Sequence, residues 1–199
     1  MKLVIISDIH GNHDALRALP EEYDELWVLG DLVNYGPQPK EVVADVMEKA
    51  SLVVQGNHDH AVAYDDDSRW SPRYRPMAEA TRRYTSAVLS DGHKAYLRGL
   101  PLQAQAERDG LLFHLTHAMP TDPLYGRHPT EAEGWAAELN TLSADVLLVG
   151  HTRAIPSQDW RQGGAEPRKP WAIPDRYPAR KLCSLPGRPV RTQILSVPG

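Results

Sequence analysis

The chain has 199 residues, 41% of them hydrophobic and 24% charged, an ordinary globular composition with room for one sizeable core. Acids outnumber bases 26 to 22, a net charge of −4, so the chain lacks the basic excess of a general nucleic-acid binder. No apolar run approaches a membrane span, the opening MKLVIISDIHG is too short and too soon charged for a signal peptide, and the single Cys183 allows no internal disulfide or cysteine zinc cluster, so a soluble cytoplasmic protein is expected.

In chain order, the apolar pattern predicts a strand at Leu3–Ile6, a helix at Asp14–Glu22, a strand at Leu26–Leu29 and a helix at Pro39–Lys49. It continues with a strand at Leu52–Val54, a helix at Met77–Ser90, a strand at Leu111–Leu115, a helix at Thr130–Leu142 and a strand at Val146–Val149. The strand runs are short and rich in Val, Leu and Ile, as in sheets covered on both faces. The helical stretches space their apolar residues by three and four. Strands alternating with helices predict an α/β sheet, in which ligands bind beyond the carboxyl ends of the strands.

Residues 154–199 differ from the rest. They hold 8 of the 17 prolines and carry eight Lys/Arg against three Asp/Glu, with no helical period or strand run. The expected organisation is therefore a domain over 1–153 and a Pro/Arg/Trp-rich tail over 154–199.

The chemistry lies at the strand exits. The first strand is followed by Asp8-Ile9-His10-Gly11-Asn12, the second by Gly30-Asp31-Leu32-Val33-Asn34-Tyr35, and the third by Gly56-Asn57-His58-Asp59. The fourth is followed by Thr116-His117 and the fifth by Gly150-His151-Thr152-Arg153. Singly, each has a plain structural explanation: a helix cap, a turn, an Asx turn or a buried histidine. Five together, each delivered to the same sheet edge, make a site. Oxygen and imidazole donors without a thiolate suit Mn²⁺, Fe, Zn²⁺ or Mg²⁺.

The series DIHGN, GDLVNYGP, GNHDHAV, LTHAMPTDPL and GHT resembles the calcineurin-like metallophosphoesterase superfamily, and within it the small bacterial phosphodiesterase-like branch, from Met1 to about Thr152. The resemblance implies a metallophosphoesterase-type αββα sandwich. It implies two divalent metal ions, Mn²⁺ first, with Fe, Zn²⁺, Mg²⁺ or Ni²⁺ as alternatives. Carried over residue by residue, Asp8 and His10 hold one metal, Asp31 bridges, and Asn57, His117 and His151 hold the other. His58 becomes the acid beside the scissile phosphate, with Asp59 orienting it. Asn12, Asn34 and Tyr35, in the site loops, become candidate substrate contacts. The implied reaction is hydrolysis of a small phosphodiester by metal-activated hydroxide. His13, His60, His93, His114 and His128 receive no role.

The resemblance also marks two departures. The family motif continues Gly-His-Thr-His, where this chain has Arg153, and arginine cannot ligate a cation. The family's next segment, a hairpin and an Asn-Pro-Gly-Ser-like turn, is replaced by the tail, so its C-terminal strands are expected to be missing. A shifted reading frame accounts for both. Every Trp codon read one base later encodes Gly, which turns Trp160 and Trp171 into the glycines such turns need. The alternatives are a genuine divergent tail and, for function, a weakened or inactive relative that binds phosphate ligands or a partner protein.

Overall fold

The computed structural model describes residues 2–20, 22–129, 132–151, 180–181 and 191–196. In chain order these form β1 (Lys2–Ser7), α1 (His13–Arg17), β2 (Glu25–Val28), α2 (Pro39–Lys49), β3 (Leu52–Val53), α3 (Asn57–Tyr64) and α4 (Arg75–Val88). Then follow α5 (Asp91–Gly99), β4 (Gln103–Arg108), β5 (Leu111–Thr116), α6 (Ala132–Leu139), β6 (Val146–Val149), β7 (Arg180–Lys181) and β8 (Arg191–Ser196). The strands make two sheets, ordered β3-β2-β1-β8-β7 and β4-β5-β6.

Side-chain alternation explains why the strands read as unbroken apolar runs. Val4, Ile6, Leu26 and Val28 point to one face of the first sheet and pack with Leu16, Val42, Val43 and Val46 of the helices. Leu3, Ile5 and Trp27 point to the other face and meet Phe113, Leu115, Val146 and Leu148 of the second sheet. Each residue of Leu3–Ile6 thus serves one of two cores, and both faces of β1 are covered there. Across the sheets, Arg108 donates to Glu25 through Nε (2.7 Å) and Nη2 (3.0 Å), tying β4 to β2.

The α/β fold is as expected, and the differences are local. Helix α1 ends at Arg17, short of Glu22, as the chain turns before Pro20. The predicted order omits α3, α5 and β4. Strand β4 reads Gln-Ala-Gln-Ala-Glu-Arg, an alternation of alanine with polar residues and not an apolar run. Within the tail lie two strands that the sequence does not announce. Strand β8 pairs antiparallel with β1, from Lys2↔Ser196 to Ser7↔Arg191, and β7 pairs with β8. Gln193 interrupts the apolar pattern of β8, but its place in the ladder depends on backbone pairing. Arg153 and the remainder of 154–199 lie outside the described residues, so the reading-frame account bears on a segment not described.

Candidate metal centre and active site

The backbone at the strand exits is unusual. Asp8, His10, Asp31 and His151 have φ of 57°, 48°, 57° and 64°, a left-handed conformation that non-glycine residues rarely adopt. It turns each side chain away from its strand and over the sheet edge. The exits of β2 and β3 also press together: a Cβ on Gly56 would run into the backbone and carboxylate of Asp31. Only glycine lets the two loops approach this closely.

The turns converge on one place. Asp31 Oδ2 lies 3.6 Å from His10 Nε2 and 3.3 Å from His117 Nε2. Asp8 Oδ1 lies 3.9 Å from His10 Nε2. Asn57 Oδ1 lies 3.1 Å from His117 Nε2 and 3.0 Å from His151 Nδ1. The titratable donors form two groups, Asp8–His10–Asp31 and Asp31–His117–His151, each with ligand atoms within 4.8 Å of one another. Asp31 belongs to both.

The outer contacts fix which atoms face inward. His117 Nδ1–H donates to the Leu29 carbonyl at 2.7 Å, and His10 Nδ1–H donates to the Val33 carbonyl at 3.1 Å. A carbonyl only accepts, so each ring, when neutral, turns a bare Nε2 lone pair toward Asp31. Two carboxylates, an amide oxygen and imidazole lone pairs in so small a space are acceptors facing acceptors. That donor set fits divalent cations. Burial opposes ionisation of Asp31, but His117, His58 and His10 outweigh it and hold its carboxyl well below the usual range. Burial opposes a charge on His117 as well, yet the Asp31 and Asp8 carboxylates raise it to about 9. A proton and a metal therefore compete for the same Nε2.

His58 stands beside this group, in the first turn of α3. Its backbone N–H donates to Asp31 Oδ1 at 2.9 Å. Asn34 Nδ2–H donates to His58 Nδ1 at 3.0 Å, which puts the ring proton on Nε2. Burial pushes His58 down to about 3, against the pull of Asp31. The rings of Tyr35, His10 and Trp70 surround it, with centroids 4.8, 5.1 and 5.3 Å away.

Asp59 differs from the sequence expectation. Its carboxylate accepts the backbone N–H groups of Asp31 (2.8 Å), Leu32 (2.9 Å) and Gly56 (3.0 Å). The partner given to the His58 ring is Asn34. The reason is that Asn57–Tyr64 is a helix: adjacent residues diverge by about 100° around its axis, and Asp59 turns back to cap the N-terminus. Asn12 also has an occupation, since its Oδ1 accepts the Ala15 N–H at 3.0 Å and caps α1.

The segment between α3 and α4 supplies part of the site wall. Asp65-Asp66-Asp67 folds it: Asp65 and Asp67 pair with Arg82, and Asp66 Oδ1 accepts the Ser68 N–H at 2.9 Å. That brings Trp70 against His58, with only 6% of Trp70 exposed. An aromatic residue among Asp, Ser, Arg and Pro, with no helical partner, is the only hint the sequence offers. His114 lies apart from the site and bonds Gln103 Oε1 at 2.8 Å.

The family model described as calcineurin-like phosphoesterase matches residues 1–153. The chain is 30% identical to an uncharacterized protein of Methanocaldococcus jannaschii, over 81% of this chain and 65% of that one. It is 39% identical to a symmetrical bis(5'-nucleosyl)-tetraphosphatase of Yersinia enterocolitica, over 86% of this chain and 72% of that one. Among solved structures, a metallophosphoesterase from Sphaerobacter thermophilus superposes with TM-score 0.61 and 31% identity, over 76% of this chain and 60% of that one. The chain thus spans less than two thirds of the Methanocaldococcus and Sphaerobacter proteins.

Proposed function

The chain belongs to the calcineurin-like phosphoesterase family, and from that premise we propose that it hydrolyses a small phosphodiester in a metal-dependent reaction at the Asp31 centre. The observation that carries the reading is that one buried carboxylate, Asp31, belongs to two donor groups at once. In this reading Asp8, His10 and Asp31 hold one cation, and Asp31, Asn57, His117 and His151 hold the other. Divalent cations held there supply Lewis acidity for a phosphoryl oxygen and acidify water near it.

The side chains do the rest. Leu29 and Val33 fix the His117 and His10 rings, so no reorganisation is needed when substrate arrives. Asn57 contributes a neutral oxygen and leaves the centre cationic enough for phosphate. His58, neutral and with its proton held on Nε2 by Asn34, offers that N–H as a hydrogen-bond donor to the charge that develops on the departing oxygen. The rings of half-buried Tyr35 and buried Trp70 cover the far side of His58.

The named activity of the Yersinia relative supports a linked-phosphate substrate. Mn²⁺ is the first metal to try, and the cytoplasm is the proposed compartment; no described helix is long and apolar enough to cross a membrane. The test is hydrolysis of bis-p-nitrophenyl phosphate by metal-loaded protein, with chelator and Asp31→Asn as controls. Turnover that survives both would end the reading.

A further inference from the structure

Beyond His58 the aromatic wall continues to a cation. Tyr35 and Trp70, which flank His58, pack in one cluster with Tyr125. The Arg69 guanidinium lies over the Tyr125 ring, 4.4 Å from its centroid. The same guanidinium makes a two-pronged contact with Asp122, Nη1 to Oδ1 at 3.2 Å and Nη2 to Oδ2 at 2.5 Å.

Both partners are held from behind. Arg75 donates to the carbonyls of Ser68 (3.4 Å) and Trp70 (3.3 Å), on either side of Arg69. Asp122 sits in the turn that follows His117, bonded through its backbone to Met119 and through Oδ1 to the Tyr125 N–H at 3.3 Å. The two side chains themselves remain open, with 55% of Arg69 and 35% of Asp122 exposed. An exposed ion pair of this kind contributes little stability, so exchanging its carboxylate for another anion costs little. A phosphoryl group offers a guanidinium the same pair of oxygens that a carboxylate does. Tyr125 keeps the guanidinium plane in place during such an exchange.

We propose that Arg69 is a second phosphoryl-binding residue: it releases Asp122 to take a phosphoryl group linked to the one that is cleaved, so the preferred substrates carry at least two linked phosphoryl groups. The inference rests on the phosphoesterase reading above and narrows its substrate class. Asp122 then acts as an internal competitor that occupies Arg69 when no substrate is bound.

AMP, with one phosphoryl group, and ADP, with two, are the probes. Their binding to the full chain in excess Mn²⁺ is measured by calorimetry, and their inhibition of bis-p-nitrophenyl phosphate hydrolysis by kinetics. Arg69→Ala is expected to weaken ADP about tenfold more than AMP, the scale of one charged hydrogen-bonded contact. Asp122→Asn keeps the acceptor for Tyr125 but frees Arg69, and is expected to tighten ADP. A purely structural pair would make both substitutions weaken ADP. That result overturns the proposal, as does an equal shift of ADP and AMP, or equal affinity for the two in the unaltered protein. If hydrolysis is absent altogether, the phosphoesterase reading fails, and calorimetry still decides the role of Arg69.

Discussion

The carboxylate of Asp59 lies behind Asp31 and accepts that residue's own backbone N–H at 2.8 Å. The remaining Asp59 contacts, to the N–H groups of Leu32 and Gly56, join the exits of β2 and β3 around it. The shared carboxylate of the centre is therefore held by a second carboxylate that never faces the site. Burial and the nearby Asp31 charge push Asp59 up to about 7, with the Gly56 N–H among the contacts pulling the other way.

Asp59→Asn keeps one oxygen for the Asp31 and Gly56 N–H groups, which share Oδ2, and turns its NH₂ toward the Leu32 N–H. The expected loss is about 1–3 kcal/mol, the cost of a buried donor left unpaired. Metal retention should fall with it, since the Asp31 loop is no longer fixed. Thermal unfolding and elemental analysis of the same preparation check both. Unchanged stability would show that the clamp contributes nothing.

Metal removal should separate the two halves of the centre. Asp8 Oδ2 is already engaged by Ser7 Oγ (2.7 Å) and the His151 N–H (3.1 Å), while His117 and Asn57 are buried around Asp31. Extensive dialysis is expected to leave clearly fewer than two metals per chain, the retained one on the Asp31–Asn57–His117–His151 side. Two tightly held metals would contradict this. Full removal by chelator should lower the melting temperature, because a ligand of the folded state alone stabilises it.

His58→Ala is expected to slow cleavage of alkyl phosphodiesters by about 10²–10³, the scale of one preorganised donor to a developing oxyanion. Aryl esters, which leave without a proton, should lose less. Asn34→Leu should show the same dependence on leaving group in weaker form, because it frees the His58 ring without removing it. Equal losses across leaving groups would mean that His58 only positions the phosphate.

The Glu25–Arg108 contact gives a pH signature. Its hydrogen bonds from Arg108 hold the Glu25 carboxyl below its ordinary value, against the effect of burial. A carboxylate with a depressed folded-state pKa adds stability above its unfolded pKa of about 4.3 and loses it as pH falls through the folded value. Arg108 is 36% exposed, so the contribution at neutral pH is below about 1 kcal/mol. Urea unfolding of Glu25→Gln should show that deficit near pH 6, shrinking toward pH 3. A deficit independent of pH would assign the effect to packing against Trp27, which also donates to Glu25 at 2.8 Å.

Legibility followed the physical signal. The strands β1 and β2 announce themselves because both faces are buried, β5 and β6 because their runs are continuously apolar or nearly so, and their exits carry the acids and histidines that meet at Asp31. Strand β4 hides because alanine alternates with glutamine, and β8 because its ladder with β1 is made by the backbone. Helix α3 hides because Asn57-His58-Asp59 has turn-like composition, and that concealed the direction of Asp59. Contacts between residues far apart in sequence, such as Asn34 with His58 or Arg69 with Asp122, leave no periodic trace at all.

The left-handed backbone at Asp8, His10, Asp31 and His151 carries a consequence for evolution and engineering. Glycine would relax each of these positions, gaining on the order of 1 kcal/mol per site. A library selected only for heat resistance should therefore enrich glycine where the donors stand. Survivors would keep the two sheets and shed the chemistry, so durability and turnover are expected to trade against each other at these four residues.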